Sequence, residues 1–327
     1  MDITATPMAQ LIHDPEGLAD EFLKEWCSPQ PYVTAHTSGS TGKPKEIRLL
    51  KDDMKKSATA TCRFFGIDSG SSMLLPLSPS YIAGKMMIVR ALISGARLFV
   101  ERPSSYPAKI DYGTLGLVPI VPAQLDGLLS SPYIGNIKNV LIGGAPLSGE
   151  EESKISRAGI KAWASYGMTE TCSHVALRDI TSGDGIYTML PGISASTDNR
   201  GCLVIDAPEF SFRRLVTNDS IELIDEHHFR WIGRYDNVIN SGGIKLHPEE
   251  IERQLSAIID APFYIIGCKS ERWGKEAVLY IESMSVDKER LMSLLHQKLD
   301  RYSVPKQIIT VPRFARTDSG KIKRIIL

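Results

Sequence analysis

A chain of 327 residues is too long for one ordinary hydrophobic core, so two domains are expected. Hydrophobic residues make up 43% and charged residues 23%, a globular profile, and 38 basic residues balance 38 acidic ones. Zero net charge excludes bulk electrostatic attraction to nucleic acid or an anionic membrane, while leaving room for a local phosphate site.

Short apolar runs alternate with amphipathic stretches along the chain, the pattern of an α/β protein. Pro31–His36 reads as a strand running into a Gly/Ser/Thr loop, and Ser72–Leu77 as a second strand. Ala83–Ser94 has helical spacing, and Ala96–Val100 is a strand after a turn at Gly95. Leu115–Pro119, Asn139–Gly143 and Lys161–Ser165 read as core strands, with a helix over Ser148–Ala158 between the last two. Gly201–Ile205, Ser220–Ile224 and Phe229–Ile232 are strands joined by short polar turns, which predicts a small antiparallel sheet or barrel. A fresh α+β pattern starts after Asp236. Pro248–Ile258 is a helix with proline in its first turn and Glu249, Glu250 and Glu252 near its positive end. Phe263–Cys268 and Glu276–Ile281 are strands, and Val286–Leu299 is a helix. The expected division is a large domain over 1–235 and a small α+β domain over 236–327.

Five cysteines (Cys27, Cys62, Cys172, Cys202 and Cys268) are scattered, with no CxxC pair or Cys/His cluster. Neither a zinc site nor a disulfide framework is expected, and an odd, dispersed count fits a reducing compartment. The N-terminal stretch has acids and prolines but no apolar signal core, and Arg90 interrupts the apolar run Met86–Leu92. A cytoplasmic protein without nucleic-acid or membrane partners is expected.

The strongest local signal is Thr37-Ser38-Gly39-Ser40-Thr41-Gly42-Lys43-Pro44-Lys45. Its glycines let the backbone approach a phosphate, its hydroxyls and amides donate hydrogen bonds, and its lysines supply charge. It is not a Walker A loop: Thr37 stands where the first glycine belongs, and Pro44 follows Lys43 where Ser or Thr should bind magnesium. A flexible Gly/Ser linker is the plainer reading, but a linker needs neither a preceding apolar strand nor an ordered GKPK ending.

This loop resembles the phosphate loop of the adenylate-forming superfamily of acyl-CoA synthetases, adenylation domains and luciferases. Later segments resemble that family's motifs in the family's order: Gly143-Gly144-Ala145-Pro146-Leu147, Tyr166-Gly167-Met168-Thr169-Glu170, Thr217-Asn218-Asp219, Gly233-Arg234-Tyr235-Asp236 continuing to Glu252, and Arg316-Thr317-Asp318-Ser319-Gly320-Lys321-Ile322-Lys323-Arg324. Each is weak alone, but six in order from Thr37 to Arg324 are hard to reach by chance.

The resemblance implies an enzyme that joins a carboxylic acid to ATP as an acyl-adenylate and passes the acyl group to a thiol. It implies ATP, Mg2+ and coenzyme A as cofactors, with small molecules as partners, and leaves homo-oligomerisation open. The Thr37–Lys45 loop would hold the β- and γ-phosphates, with Gly143, Gly144, Ala145 and Pro146 on the adenine side. Tyr166 would pack on adenine, with Gly167 beside it in the nucleotide site, Thr169 would bond the α-phosphate, and Glu170 would ligate magnesium. Asp219 would accept the ribose hydroxyls with Arg234 nearby, and Lys321 would bridge the attacking carboxylate and the α-phosphate. Asp236 would be the hinge on which the small domain swings, withdrawing Lys321 and bringing in the Ser241–Lys245 loop. His247 and His227-His228 read as loop histidines rather than a base or a metal site.

The implied fold is a truncated adenylate-forming enzyme fold, a large α/β domain followed by a small mobile one. The phosphate loop lies unusually near the N-terminus, so the N-terminal subdomain of larger members is expected to be missing. Asn218 replaces the glycine of the family's TGD, and Asn240 stands where many members have lysine. In the acyl-pocket segment, Tyr81 takes the position of a histidine, followed by Lys85 and Arg90. The Tyr81–Met87 pattern and Arg90 most resemble the o-succinylbenzoate–CoA ligase branch, where such an arginine helps hold the second carboxylate. An internal salt bridge is the structural alternative for Arg90. Another acid–thiol ligase, a free-standing adenylation domain loading a carrier protein, and a non-catalytic nucleotide-binding protein are the alternative functions.

Overall fold

The computed structural model of the protein describes residues 11–36, 46–316 and 322–326. Its spine is a nine-stranded sheet that changes character across its width. At one end Val118–Ile120, Val140–Ile142 and Ala162–Gly167 run parallel. The first two are entirely buried apolar triplets, as strands covered on both faces require. The Gly149–Ala158 helix makes the crossover between the second and third. Ser148 caps it, accepting from the Glu151 amide at 3.2 Å while its own amide donates to the Glu151 carboxylate at 2.7 Å. Gly159, at φ 66°, ends it.

From Ala162–Gly167 the sheet turns antiparallel, through His174–Asp179, Ile186–Met189, His228–Arg234, Arg213–Asp225, Cys202–Ala207 and Ser194–Thr197. The antiparallel strands expected after Gly201 are therefore not a separate sheet. They continue the hydrogen-bond ladder of the parallel strands through the hairpin of Ala162–Gly167 and His174–Asp179. That hairpin was not foreseen, because Val175–Leu177 is buried throughout and lacks the alternation of a half-exposed strand.

A second, parallel sheet of Ile12–His13, Arg97–Val100 and Ser72–Leu75 lies beside the first, joined by a bridge from Met73 to Leu117. Helices Lys51–Phe65 and Ile82–Ser94 pack on each other. The second is buried from Gly84 to Ala91, and Gly84 is glycine because a Cβ would overlap the Ser78 carbonyl. The first was missed in the sequence because its buried face is half polar, with Asp53, Ser57 and Thr61 beside Met54, Ala58 and Cys62. Tyr32–His36 pairs antiparallel with Glu46–Leu50, so residues 37–45 join the ends of a two-stranded ribbon.

Two apolar cores share residues up to Phe229, and a third gathers residues from Ile239 to Ile308. The latter lies under a five-stranded sheet whose longest pair is Phe263–Ser270 and Gly274–Glu282, with helices Pro248–Leu255 and Lys288–Lys298. The chain passes between the cores at a 3-10 turn, Tyr235–Asn237. The Gly149 amide of the crossover helix donates to Ser256 Oγ, just past the Pro248–Leu255 helix, at 3.0 Å.

Candidate active site

The parallel strands bring three loops to one edge of the sheet, outside their carboxyl ends, where open α/β sheets bind ligands. Ile120, Ile142 and Ala164 are neighbours in register, so the chain after each emerges side by side. After Ile142 comes the Gly143-Gly144-Ala145-Pro146 turn. Gly143 is glycine because a Cβ would lie 2.5 Å from Ser165 Oγ, which donates to the Ile142 carbonyl at 3.0 Å. Gly144 takes φ 85°, a torsion side chains disfavour, and Gly144, Ala145 and Pro146 are exposed. The sheet edge here is bare backbone.

After Ala164 the strand runs through Tyr166 and Gly167 into a 3-10 turn, Thr169–Thr171, and returns as His174–Asp179. Glu170 is exposed on this turn and Thr169 is half-buried beside it. Gly167 is required because a Cβ would overlap the Ser173 carbonyl and the His174 Cα. Cys172 closes the turn at φ 62°, ψ −32°, strained for a residue with a side chain.

Tyr166 points from this strand to Asp219, donating from its hydroxyl to Oδ2 at 2.8 Å. Trp231 Nε1 donates to the other oxygen at 3.1 Å, and Arg234 lies 3.6 Å away. Asp219 is only 6% exposed. Burial and the neighbouring Asp219 charge raise the Tyr166 hydroxyl well above its usual pKa, so it stays a donor at any physiological pH. The ring meets Tyr187 and Phe229 edge-on. Trp231 is a member of this constellation that sequence reasoning missed. Its pairing could have been inferred only from register, since the 213–225 and 228–234 strands are adjacent and place Asp219 opposite Arg234.

Arg234 also donates to Asp236 at 3.1 Å, and Asn218 donates to the same oxygen at 3.3 Å. Asn218 in turn accepts from Arg200 at 2.9 Å, so the residue replacing the family's glycine spans Arg200 and the junction turn. Asp236 thus lies in the turn between the two cores.

The acid-side residues separate. Tyr81 is the N-cap of the Ile82–Ser94 helix and is 51% exposed. Lys85, expected to face the substrate, is instead buried in the fold. Its amine bonds the Glu25 carboxylate at 3.1 Å and the Thr34 carbonyl at 2.7 Å, over the Phe22 ring. A buried ammonium needs such partners, and the Asp20–Cys27 helix, unrecognised in the sequence, supplies one.

Arg90 is 2% exposed, and the salt bridge offered as its alternative is not found among the described residues. One guanidinium nitrogen donates to Ser173 Oγ at 2.8 Å, another faces Met87 Sδ at 3.5 Å, and Nε has no hydrogen-bond partner among them. Burial lowers its pKa to about 10, which leaves it charged at neutral pH. Behind Ser173 stands His174, its Nδ1 3.3 Å from Ser173 Oγ and its Nε2 3.1 Å from Thr61 Oγ1. Burial and the Arg90 charge push His174 well below the usual histidine range, so it is neutral. Ser173, His174 and Thr61 were not singled out in the sequence. The only signal was that Ser173 and His174 directly follow the Tyr166–Glu170 segment.

Thr37, Ser38, Gly39, Ser40, Thr41, Gly42, Lys43 and Lys45 lie outside the described residues, as does Lys321. The described residues on either side of it are held by specific contacts. Arg316 forms a bridge with Ile322 and an ion pair with Glu282 at 2.9 Å, while Arg324 grips both oxygens of Glu252 at 2.7 and 2.6 Å.

The profile of the AMP-binding enzyme family matches residues 4–208. Among curated relatives, the 2-succinylbenzoate–CoA ligase of Listeria monocytogenes is 27% identical over 93% of this chain and 71% of its own length. Among solved structures, an acyl-CoA synthetase (AMP-forming)/AMP-acid ligase II-like protein from Dyadobacter fermentans is 34% identical, with TM-score 0.63. The match covers 94% of this chain and 91% of that one, so the two are nearly equal in extent. The o-succinylbenzoate CoA synthetase of Bacillus subtilis in complex with the acyl-adenylate OSB-AMP has TM-score 0.79 at 22% identity, over 93% of this chain and 72% of that one, which shows a common fold. With its family motifs in order and this profile spanning more than half of its length, the chain belongs to the AMP-binding enzyme family.

Proposed function

We propose that the protein is an ATP-dependent acid–CoA ligase working through an acyl-adenylate, and that its acid is 2-succinylbenzoate. The observation that carries this reading is the short turn from Gly167 to Ser173. At its start, Tyr166 joins the Asp219 site expected for ribose; at its end, Ser173 bonds a buried arginine with no carboxylate partner among the described residues. A nucleotide on one side and an anionic acid on the other would meet over Thr169 and Glu170.

The carboxylate of the acid attacks the α-phosphorus, a C–O–P anhydride forms, and pyrophosphate leaves. The thiol then adds to the carbonyl, AMP leaves with the bonding electrons, and the thiol proton passes to solvent. Both steps build negative charge, so the protein's work is positioning and charge stabilisation. Asp219 uses two of about four acceptor positions on Tyr166 and Trp231, leaving the others for ribose hydroxyls. The bare Gly143–Pro146 edge admits the base. On this reading Thr169 would bond the α-phosphate, and the role of bridging it to the acid falls to Lys321, outside the described residues.

Magnesium would neutralise the departing phosphates. Glu170 is one exposed carboxylate, and no group of three or more metal-ligating side chains occurs among the described residues. One carboxylate with ligand oxygens and water completing the shell is how magnesium–nucleotide sites are commonly built. Arg90 suits an acid with a second carboxylate, since a buried cation is stabilised by a bound anion. The names of the Listeria and Bacillus relatives support the same acid.

The test is pyrophosphate release with ATP and Mg2+ over 2-succinylbenzoate, 4-oxo-4-phenylbutanoate (the same skeleton without the ring carboxylate) and benzoate, each with and without CoA. Turnover is expected on 2-succinylbenzoate, with a CoA thioester formed when CoA is present. No turnover on any acid would defeat the ligase reading. Turnover on benzoate alone would remove the acid, and adenylation without thioester formation would remove CoA as acceptor.

A further inference from the structure

We infer that His174 is a positioning residue: held by Thr61 from behind, it orients Ser173 and thereby fixes how Arg90 presents its guanidinium to a second carboxylate of the acid. This rests on the reading of Arg90 given above. The hydrogens along the chain of contacts can be assigned from the donors each group owns. Arg90 only donates, so Ser173 Oγ accepts from it at 2.8 Å and has its single proton left for His174 Nδ1, 3.3 Å away. Thr61 spends its single proton on the Ser57 carbonyl at 3.0 Å, so it must accept from His174 Nε2 at 3.1 Å. The histidine is therefore the neutral tautomer with hydrogen on Nε2, an assignment made from the network. Each hydroxyl gives once and accepts once, and the direction runs unbroken from Arg90 to the backbone of the Lys51–Phe65 helix.

The arrangement has a consequence for the arginine. A guanidinium on a long stem has several rotamers, and nothing charged among the described residues selects one. Ser173 selects one by accepting from a terminal nitrogen, but a free serine hydroxyl would rotate and could equally turn its proton toward the cation. His174 Nδ1 removes that freedom by taking the proton, so the Ser173 lone pair faces Arg90. With one terminal nitrogen fixed and Met87 beside the other, Nε is a buried donor without a partner among the described residues, which a bound carboxylate would satisfy. Packing enforces the alignment too: Gly167 has no Cβ because the Ser173–His174 backbone lies against it.

The test measures KM and kcat for 2-succinylbenzoate and for 4-oxo-4-phenylbutanoate in His174→Phe, His174→Asn and Thr61→Val, beside Arg90→Leu. Asparagine keeps an acceptor near the Nδ1 position, while phenylalanine fills the space without one. His174→Phe should raise KM for the diacid about tenfold, as expected for disturbing a hydrogen bond to a charged group, with little change in kcat or in KM for the monoacid. His174→Asn should restore most of the loss. Thr61→Val, which preserves shape three contacts from the arginine, should raise diacid KM in the same sense by a smaller factor. Should His174→Phe fail to fold, judged by its melting curve, Thr61→Val and His174→Asn decide. Equal KM changes for both acids, or an unchanged diacid KM in Thr61→Val, would overturn the inference. If Arg90→Leu fails to discriminate the two acids, the diacid reading itself fails; if it discriminates and the His174 and Thr61 variants do not, only the positioning role fails.

Discussion

Two buried charges flank the Gly167–Ser173 turn, and they are built in opposite ways. Asp219 is an anion whose oxygens take hydrogen bonds from Tyr166 and Trp231 and which has Arg234 close by. Arg90 is a cation with one hydroxyl, one thioether and an unpartnered Nε among the described residues. The first is compensated by the fold, and on the proposed reading it would add ligand bonds to partners already in place. The second has no charged partner among the described residues, and on the proposed reading the fold carries its desolvation cost until an anion binds. The difference teaches how to tell a charge that holds strands together from one held for a ligand: count what the protein itself supplies.

Substitutions should separate the two. The largest effect is expected for Asp219→Ala, which orphans the Tyr166 and Trp231 donors and removes the ribose acceptor. It should cost on the order of 2–5 kcal/mol of stability in urea unfolding and remove most ATP-dependent pyrophosphate release. A stable, active Asp219→Ala protein would erase the contrast. Arg90→Leu should behave in reverse, raising KM for 2-succinylbenzoate about thirtyfold or more. Its ligand-free melting temperature should hold or rise, because a buried unpaired charge has been removed. A marked fall in melting temperature would mean that the fold does compensate Arg90.

A third effect is in the pH dependence of stability. His174 titrates well below the usual histidine range when folded and near 6.5 when unfolded. The unfolded chain therefore takes up the proton first on acidification. The contribution of His174 is present above pH 6.5 and is lost below it, at up to about 1.4 kcal/mol per pH unit. Comparing wild type with His174→Asn between pH 7 and 5 should show this slope in the wild type only. The smallest expected change is Tyr166→Phe, about 1 kcal/mol of stability with a modest rise in KM for ATP, since Trp231 and Arg234 still hold Asp219.

Most of the fold was legible where the chain repeats a local rule. The buried triplets at Val118–Ile120 and Val140–Ile142, the capped Gly149–Ala158 helix and the Pro248–Leu255 helix with its acidic first turn all announce themselves by composition and caps. Illegible were the elements whose partners lie far away in the chain. The Lys51–Phe65 helix looks polar on the face that carries Thr61, because that polarity is spent on a residue 113 positions later. Lys85 read as a pocket residue because only the folded chain brings Glu25 and Thr34 to it.

The candidate site divides along the same line. Motifs identify Tyr166, Glu170, Asp219, Arg234 and Asp236 because glycines, turns and acidic positions at set intervals are local features of the chain. Sequence alone determined the family and the α/β class, and it singled out the residues proposed for the ATP chemistry. Tertiary structure alone decided what each buried charge faces: that Asp219 is satisfied, that Lys85 belongs to the scaffold, and that Arg90 has no carboxylate beside it among the described residues. The physical reason is range. Torsional preferences and caps act over a few residues and are written in order, whereas burial and charge compensation depend on neighbours that only folding assembles.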